Sequence, residues 1–484
     1  MADTAGVTQQ LTDFVAGTRY SNLTAQVIDY TKLIILDTLI CGIAAGGQKR
    51  TQMMNAVVRR QGGVAEASVF GLPGKYPAGM AAMANAECMN CLDADDTFFT
   101  QSHFAAFNVA SALAEGQRDN ASGEDIILAV AVGFDINARL NLASQMFYAM
   151  DDGSVQWSSR AGMGFAAFGA ASSAAVVRDL DPEQCSNMFG LLNWMAPTAN
   201  VTTVSQRRNN PSLKYGDYPG ATRSAFMALD LAEEGYIAEH SCLDGEGFLH
   251  AQGSLAVDND LLVEALQEKW WILETSVKYY PSCRYTHGPI DMLRQLMATE
   301  NIGADDIDEI VVRMNPMGYA LSFFRDPAKS IPPDHRAPLD GAFNIPYVMA
   351  LAALEYTPGP QWYSDETLAD PKVWELAARI STAEDISARD EVKQALSQKI
   401  RRFRKSPASM TVRAGGQEFL CESEYANGDP WTEETHASWD SVTAKFHNFC
   451  SQLLSADEID DIVRQVRNLE RVNNIADSPF LQFS

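Results

Sequence analysis

From residue 77 to residue 91 the chain is built largely from small and flexible apolar side chains: Ala78, Met80, Ala81, Ala82, Ala84, Ala86 and Met89. The pattern predicts a buried helix. It runs directly into Leu92-Asp93-Ala94-Asp95-Asp96-Thr97, and His103 comes soon after. Burying a bare carboxylate is very costly, so charges delivered by a buried helix must be hydrogen-bonded, paired or functional. That requirement limits the folds open to the chain. If the helix continues, Asp93, Asp96 and Thr97 share one face. The alternative is local capping, with Asp95 or Asp96 starting the next helix near Ser102.

The rest of the chain predicts a mainly α protein with an α+β second domain. Its 484 residues suggest two or three domains. The apolar run at residues 33–45 carries Asp37, is too short to span a bilayer, and reads as a buried helix capped by Asn22 and stopped at Gly46-Gly47. Ser122-Gly123-Glu124-Asp125 resembles a capping box, and the helix after it carries Asp135 and Arg139 at ion-pair spacing. Residues 161–177 are rich in Gly and Ala. Gly162, Gly164 and Gly169 are misplaced for a dinucleotide loop, so close helix packing is predicted. Beyond about residue 272 the character changes. Residues 308–314 read as a strand, and residues 409–413 and 417–421 flank Gly415-Gly416 as a hairpin, with Ala414 allowing a slightly longer loop. Helical patterns return after Gly428-Asp429-Pro430. The expected architecture is a large helical domain from residues 1–272 and 430–484, with an α+β lid inserted at 273–429.

Charge removes some function classes. The net charge of −25 argues against nucleic acid and anionic membranes as partners. It leaves an acidic small molecule open, because a few converging cations can hold a carboxylate. The eight cysteines are scattered and make no disulfide framework. Cys88 and Cys91 form one CxxC without a partner pair, inside the small-residue helix, where core packing is the simpler reading than redox or metal chemistry. No secretory signal is visible, so a cytoplasmic, reducing location is expected.

Four further clusters bear on chemistry. Gln206-Arg207-Arg208 precedes Lys214-Tyr215-Gly216-Asp217-Tyr218, which is cation-rich for so acidic a chain or simply a solvated loop. Lys278-Tyr279-Tyr280-Pro281-Ser282-Cys283-Arg284-Tyr285-Thr286-His287 lies at the expected domain junction, where clefts form. Tyr319 comes just after the first strand of the lid. Trp157-Ser158-Ser159-Arg160 precedes the Gly/Ala helix, where an arginine can help hold an anion.

These segments resemble the MmgE/PrpD family, which contains 2-methylcitrate dehydratases, cis-aconitate decarboxylases and iminodisuccinate epimerases. Leu36-Asp37-Thr38-Leu39, the acidic signature with His103, Gly133-Phe134-Asp135, Phe168-Gly169-Ala170-Ala171 and the Lys214 and Lys278 blocks carry the resemblance, which covers nearly the whole chain. It implies a helical domain completed by the C-terminus, an α+β lid, a homodimer, and a site between the domains with no metal, iron–sulfur cluster or other cofactor. Asp93, Thr97, His103, Lys214, Lys278, His287 and Tyr319 match positions lining the family's cleft. There are departures. Asp135 stands where the family usually has Glu, Arg160 lies near the place of a usual His, and Cys283 stands where the decarboxylases have a His.

The implied chemistry is a proton gained or lost beside a carboxylate, in a lyase acting on a di- or tricarboxylic acid. Dehydration of a hydroxy acid is the first expectation; decarboxylation, epimerisation or carboxylate binding without catalysis are the alternatives. Lys214 and Lys278 would offset the developing negative charge. His103 would transfer the proton, Asp93 would orient His103 or Lys214, and Tyr319 or Thr97 would serve the departing hydroxyl. Asp96, Thr97, Arg160, Cys283, Arg284 and His287 complete the expected substrate-binding set.

Overall fold

The apolar run at residues 33–45 becomes the second half of the helix Ala25–Ala45, whose N-terminus is capped by the Thr24 hydroxyl accepting from the Val27 N–H. Asn22, the expected cap, instead accepts from the Arg19 N–H in a short turn just upstream. A computed structural model supplies the coordinates and describes residues 5–99, 101–158, 162–198, 216–321 and 339–481.

The helical part is layered around Ala78–Asn90, Ala105–Asp119, Gly123–Ala143 and Ala166–Val177, which pack against one another. Gly123–Ala143 is long and apolar enough to cross a membrane, yet its most apolar window is entirely buried inside the protein, as a core helix requires. Its N-terminus is the expected capping box: Ser122 Oγ accepts from the Asp125 N–H while Asp125 Oδ2 accepts from the Ser122 N–H. Gly133 and Gly169 explain the Gly/Ala run. A Cβ at Gly133 would lie 2.5 Å from the Gly169 carbonyl oxygen, so these two helices touch backbone to backbone. Cys88 and Cys91 are fully buried free thiols in this packing.

The last two helices, Trp439–Cys450 and Ala456–Arg467, pack on Ala25–Ala45 and complete the helical layer from the far end of the chain. Between them and the first part lies a four-stranded sheet. Its order runs Gln417–Ser423, Ala408–Ala414, Ile307–Met314, Ile380–Glu384; the first two pairings are antiparallel and the last is parallel. The helices His287–Glu300 and Ile345–Ala353 pack together beside it. The hairpin is tighter than Ala414 suggested. Ala414 pairs directly with Gln417, leaving a two-residue turn at Gly415 (φ 56°) and Gly416 (φ 77°), conformations that glycine adopts without steric cost. The fold is therefore mainly helical with a smaller α+β portion.

Candidate active site

The small-residue helix ends at Asn90, and the carboxylates beyond it do not continue the helix. Asp93 takes a left-handed backbone conformation (φ 56°), and Thr97–Phe98 is already a short strand. The shared helical face for Asp93, Asp96 and Thr97 is thus not formed. The physical reason is visible in the contacts: by turning, the chain presents both the carboxylate and the carbonyl of Asp93 to one cation. Lys278 Nζ donates to Asp93 Oδ1 at 2.8 Å and to the Asp93 carbonyl at 3.0 Å, and both side chains are fully buried. Asp93 thus holds Lys278.

Strand pairing brings these groups together. Thr97 lies opposite Ser276 in a two-stranded ladder formed by Thr97–Phe98 and Thr275–Ser276, which sets Lys278 two residues beyond the ladder. The Thr97 hydroxyl is buried and has no hydrogen-bond partner among the described residues. Phe98 exchanges backbone hydrogen bonds with Ser102, closing a small loop that presents His103. His103 Nδ1 donates to the Asp96 carbonyl, so the neutral tautomer compatible with this contact carries its lone pair on Nε2.

Asp96 takes the capping role. Its Oδ1 accepts from the Ala105 N–H at 2.9 Å and its Oδ2 from the Phe104 N–H at 3.3 Å, so it caps Ala105–Asp119 from nine residues upstream. Burial, with the neighbouring Asp95 carboxylate adding, raises its pKa well above the usual carboxylate range. Both Asp95 oxygens accept from Asn90 Nδ2, at 3.0 and 2.8 Å.

The Lys278 block splits between site and scaffold. Arg284 pairs with Asp429 at 2.5 Å and donates to the carbonyls of Val277, Ala426 and Asn427, so it binds the junction together. His287 is fully buried; its Nδ1 accepts from Arg284 and its Nε2 donates to the Ser282 carbonyl. Burial, Arg284 and Lys278 all push its pKa well down, which keeps it neutral. Cys283 is half-buried at the start of the turn Arg284–Thr286. Tyr319 is half-buried on Pro316–Leu321. That helix lies against the junction: a Cβ on the adjacent Gly318 would sit 2.9 Å from the Tyr285 ring. Lys214 and Arg160, and with them Gln206, Arg207, Arg208 and Tyr215, lie outside the described residues.

Three groups near the acidic loop escaped the sequence reading as site residues. Lys445, from the penultimate helix, is fully buried, pairs with Asp37 at 2.5 Å and donates to the Ala94 carbonyl at 2.7 Å. Burial works against its charge, but Asp37, with Cys41 and Tyr279 adding, outweighs that and the pKa is raised above the ordinary lysine value. Tyr218, buried and stacked on Phe107 at 4.2 Å, feels Asp95, Asp96 and Asp93, and its phenol is raised well above its usual range by burial and then by those charges. Asp135 does more than pair with Arg139 at 2.5 Å: its second oxygen accepts from the Trp271 N–H at 3.0 Å, just ahead of the Thr275–Ser276 strand. Only the pairing of Asp135 with Arg139 was signalled by spacing; partners hundreds of residues apart leave no local pattern.

The MmgE/PrpD N-terminal domain matches residues 9–254 and the MmgE/PrpD C-terminal domain matches residues 280–471. A cis-aconitate decarboxylase from Mus musculus is 24% identical over 337 residues, covering 66% of this chain and 66% of that protein. One from Aspergillus terreus is 22% identical over 402 residues, covering 78% and 79%. One from Homo sapiens is 24% identical over 331 residues, covering 65% of each. The chain thus spans just under two thirds of the length of the mouse and human relatives it matches. It belongs to the MmgE/PrpD family.

Proposed function

We propose that this member of the MmgE/PrpD family is a lyase that moves a proton at a carbon beside a carboxylate of a di- or tricarboxylic acid. The observation that carries the reading is the buried Lys278–Asp93 pair set beside the loop that presents His103. A lysine held in a dry site keeps its charge when a carboxylate accompanies it, and it then opposes negative charge far better than it would in water. The charge that needs opposing is the enediolate formed when a proton or carbon dioxide leaves a carbon next to a carboxylate. His103, with Nδ1–H committed to the Asp96 carbonyl, offers Nε2 for the proton. Asp93 orients Lys278, and the Thr97 hydroxyl, without a partner among the described residues, is suited to bind a substrate oxygen. Lys214 supplies a second cation and Tyr319 a hydroxyl in this scheme, with Arg160 reading a further carboxylate.

The relatives' names put decarboxylation of a cis-aconitate-like acid first. In that reaction carbon dioxide leaves, the electron pair passes into the remaining conjugated acid, and His103, first protonated on Nε2 by a solvent proton, delivers that proton to carbon. Cys283, in the place where the decarboxylases carry a His, favours dehydration of a hydroxy acid as the second reading. A reducing cytoplasmic location and a homodimer belong to the same proposal. The test is proton NMR in D₂O with cis-aconitate, citrate, 2-methylcitrate and iminodisuccinate. Lost carbon assigns a decarboxylase, new vinyl protons from a hydroxy acid assign a dehydratase, and deuterium exchange alone assigns an epimerase. No change with any of them, or full turnover by His103→Ala, overturns the assignment of His103.

A further inference from the structure

Among the described residues, the buried lysines and arginines share a rule with one exception. Lys32 pairs with Glu470, Arg50 with Glu87, Arg139 with Asp135, Lys278 with Asp93, Arg284 with Asp429 and Lys445 with Asp37. Arg402 is buried without a carboxylate. Burial pulls its guanidinium down to about 9, the Arg401 charge adding to the pull. Its Nη1 donates to the neighbouring Arg401 carbonyl at 2.9 Å, and its other donors go to neutral oxygens on the helical part. Nη2 donates to the carbonyls of Asn141 at 2.5 Å and Ser144 at 3.2 Å, and Nε donates to Asn141 Oδ1 at 3.2 Å. These carbonyls are at the C-terminal end of Gly123–Ala143, where a cation is favoured.

Asn141 passes the contact on toward the site. Its side chain accepts from Arg402 on the oxygen and donates from the nitrogen to Ser102 Oγ at 2.9 Å. Ser102 precedes His103 and closes the Phe98–Ser102 loop through its own backbone. The same stretch of chain grips this loop a second time. Arg404 pairs with Glu274 at 2.6 Å and lies 5.5 Å over the Phe99 ring, while the Phe99 N–H donates to the Glu274 carbonyl. Residues 401–404, between Arg389–Ser397 and the strand Ala408–Ala414, thus lie as a strap on the loop that carries Thr97 and His103.

We propose that Arg402 is a positioning residue for the reaction, setting His103 and Thr97 against the substrate through the chain Arg402–Asn141–Ser102. The proposal rests on the reading of His103 as the proton-transfer group. A cap of the helix end alone would need no link to Ser102. A displacement of a reacting group by about 1 Å is enough to cost about a hundredfold in rate, so a slack loop shows in turnover before it shows in binding.

The test compares Arg402→Gln, Arg402→Lys and Arg389→Gln. Arg389 also joins the two parts of the molecule, donating to the Asp152 carbonyl, while its side-chain ion-pair partner is Glu384 on the sheet. Two readouts are taken on the full chain: amide hydrogen exchange over residues 97–105, and kcat and KM on the acid that the NMR panel identifies. The expected result for Arg402→Gln is exchange about tenfold or more faster in that segment with Ala25–Ala45 unchanged, and kcat down about tenfold to a hundredfold with KM nearly constant. Arg402→Lys should recover part of both, and Arg389→Gln should match the parent. Unchanged exchange, a loss confined to KM, or an equal loss in Arg389→Gln overturns the proposal. If the parent turns over no acid, the lyase reading fails by itself and the exchange arm still decides whether Arg402 holds the loop.

Discussion

The acidic loop and the outer sheet use the same ion pairs in opposite surroundings. Around the loop, Asp93 with Lys278 and Asp37 with Lys445 are completely dehydrated. On the sheet, Arg413 bridges Glu309 and Glu418 with all three side chains roughly half exposed. The geometry is equally good in both places, so distance alone does not rank them. Solvent does. Water screens the sheet pairs and supports each charge when its partner leaves. In the interior a charge deprived of its partner has nothing to replace it, and taking both charges out of water has already cost several kcal/mol per ion. Two such pairs converge on the one acidic loop, Asp93 through Lys278 and the Ala94 carbonyl through Lys445.

The comparison is broken or sharpened by removing one member at a time. The largest expected effect is on chemistry: His103→Ala should lower kcat by about 10²–10⁴ with little change in melting temperature. A parallel loss of folding would mean that the ring is structural. Next, Lys278→Met should lower kcat by about 10²–10³ and destabilise the protein by about 3–5 kcal/mol in denaturant titration. Adding Asp93→Asn should return most of that stability and none of the activity; recovery of both would place the chemistry elsewhere.

Lys445→Met carries the same stability cost, about 3–5 kcal/mol, because Asp37 is left buried alone. The double variant Asp37→Leu/Lys445→Met should regain it, and an unaltered single variant would show that water reaches the pair. A smaller effect depends on pH. Asp96 has a folded-state pKa above its unfolded value, so between the two the folded state binds more protons and stability falls as pH rises. The stability gained by Asp96→Asn over the parent should therefore widen as pH climbs from about 4, near the unfolded carboxylate value, through the raised one. A gap that stays flat with pH means that the carboxyl titrates normally. Smallest of all, Arg413→Ala should leave the unfolding midpoint within error, and a clear shift there would remove the contrast with the interior.

Much of the fold was legible in the sequence because it rests on local or periodic signals. The Ser122 box, the Asp135–Arg139 spacing, the burial of residues 33–45 and the hairpin at Gly415-Gly416 arise from hydrogen bonds and contacts within a few residues. The misses share the opposite property. Asn22 lost the cap to Thr24, and both residue types satisfy the same rule, so only the backbone chooses between them. The shared face of Asp93, Asp96 and Thr97 failed because a long-range partner, Lys278, draws the chain out of the helix. In the candidate site, Asp93 and Lys278 were singled out separately. Their pairing with each other was not, nor were Lys445 and Arg402.

By itself the sequence determined which segments are helices, which residues are too costly to bury without purpose, and which family the chain resembles. Those properties depend on residue type, period and neighbours a turn away. The tertiary structure alone decided which cation meets which carboxylate, that Asp96 caps a helix with its side chain while its carbonyl holds His103, and that Arg402 reaches Ser102 through Asn141. A charge shows no preference among distant partners in the sequence. The choice is made only when packing excludes water and limits each buried charge or polar group to the neighbours that the fold brings to it.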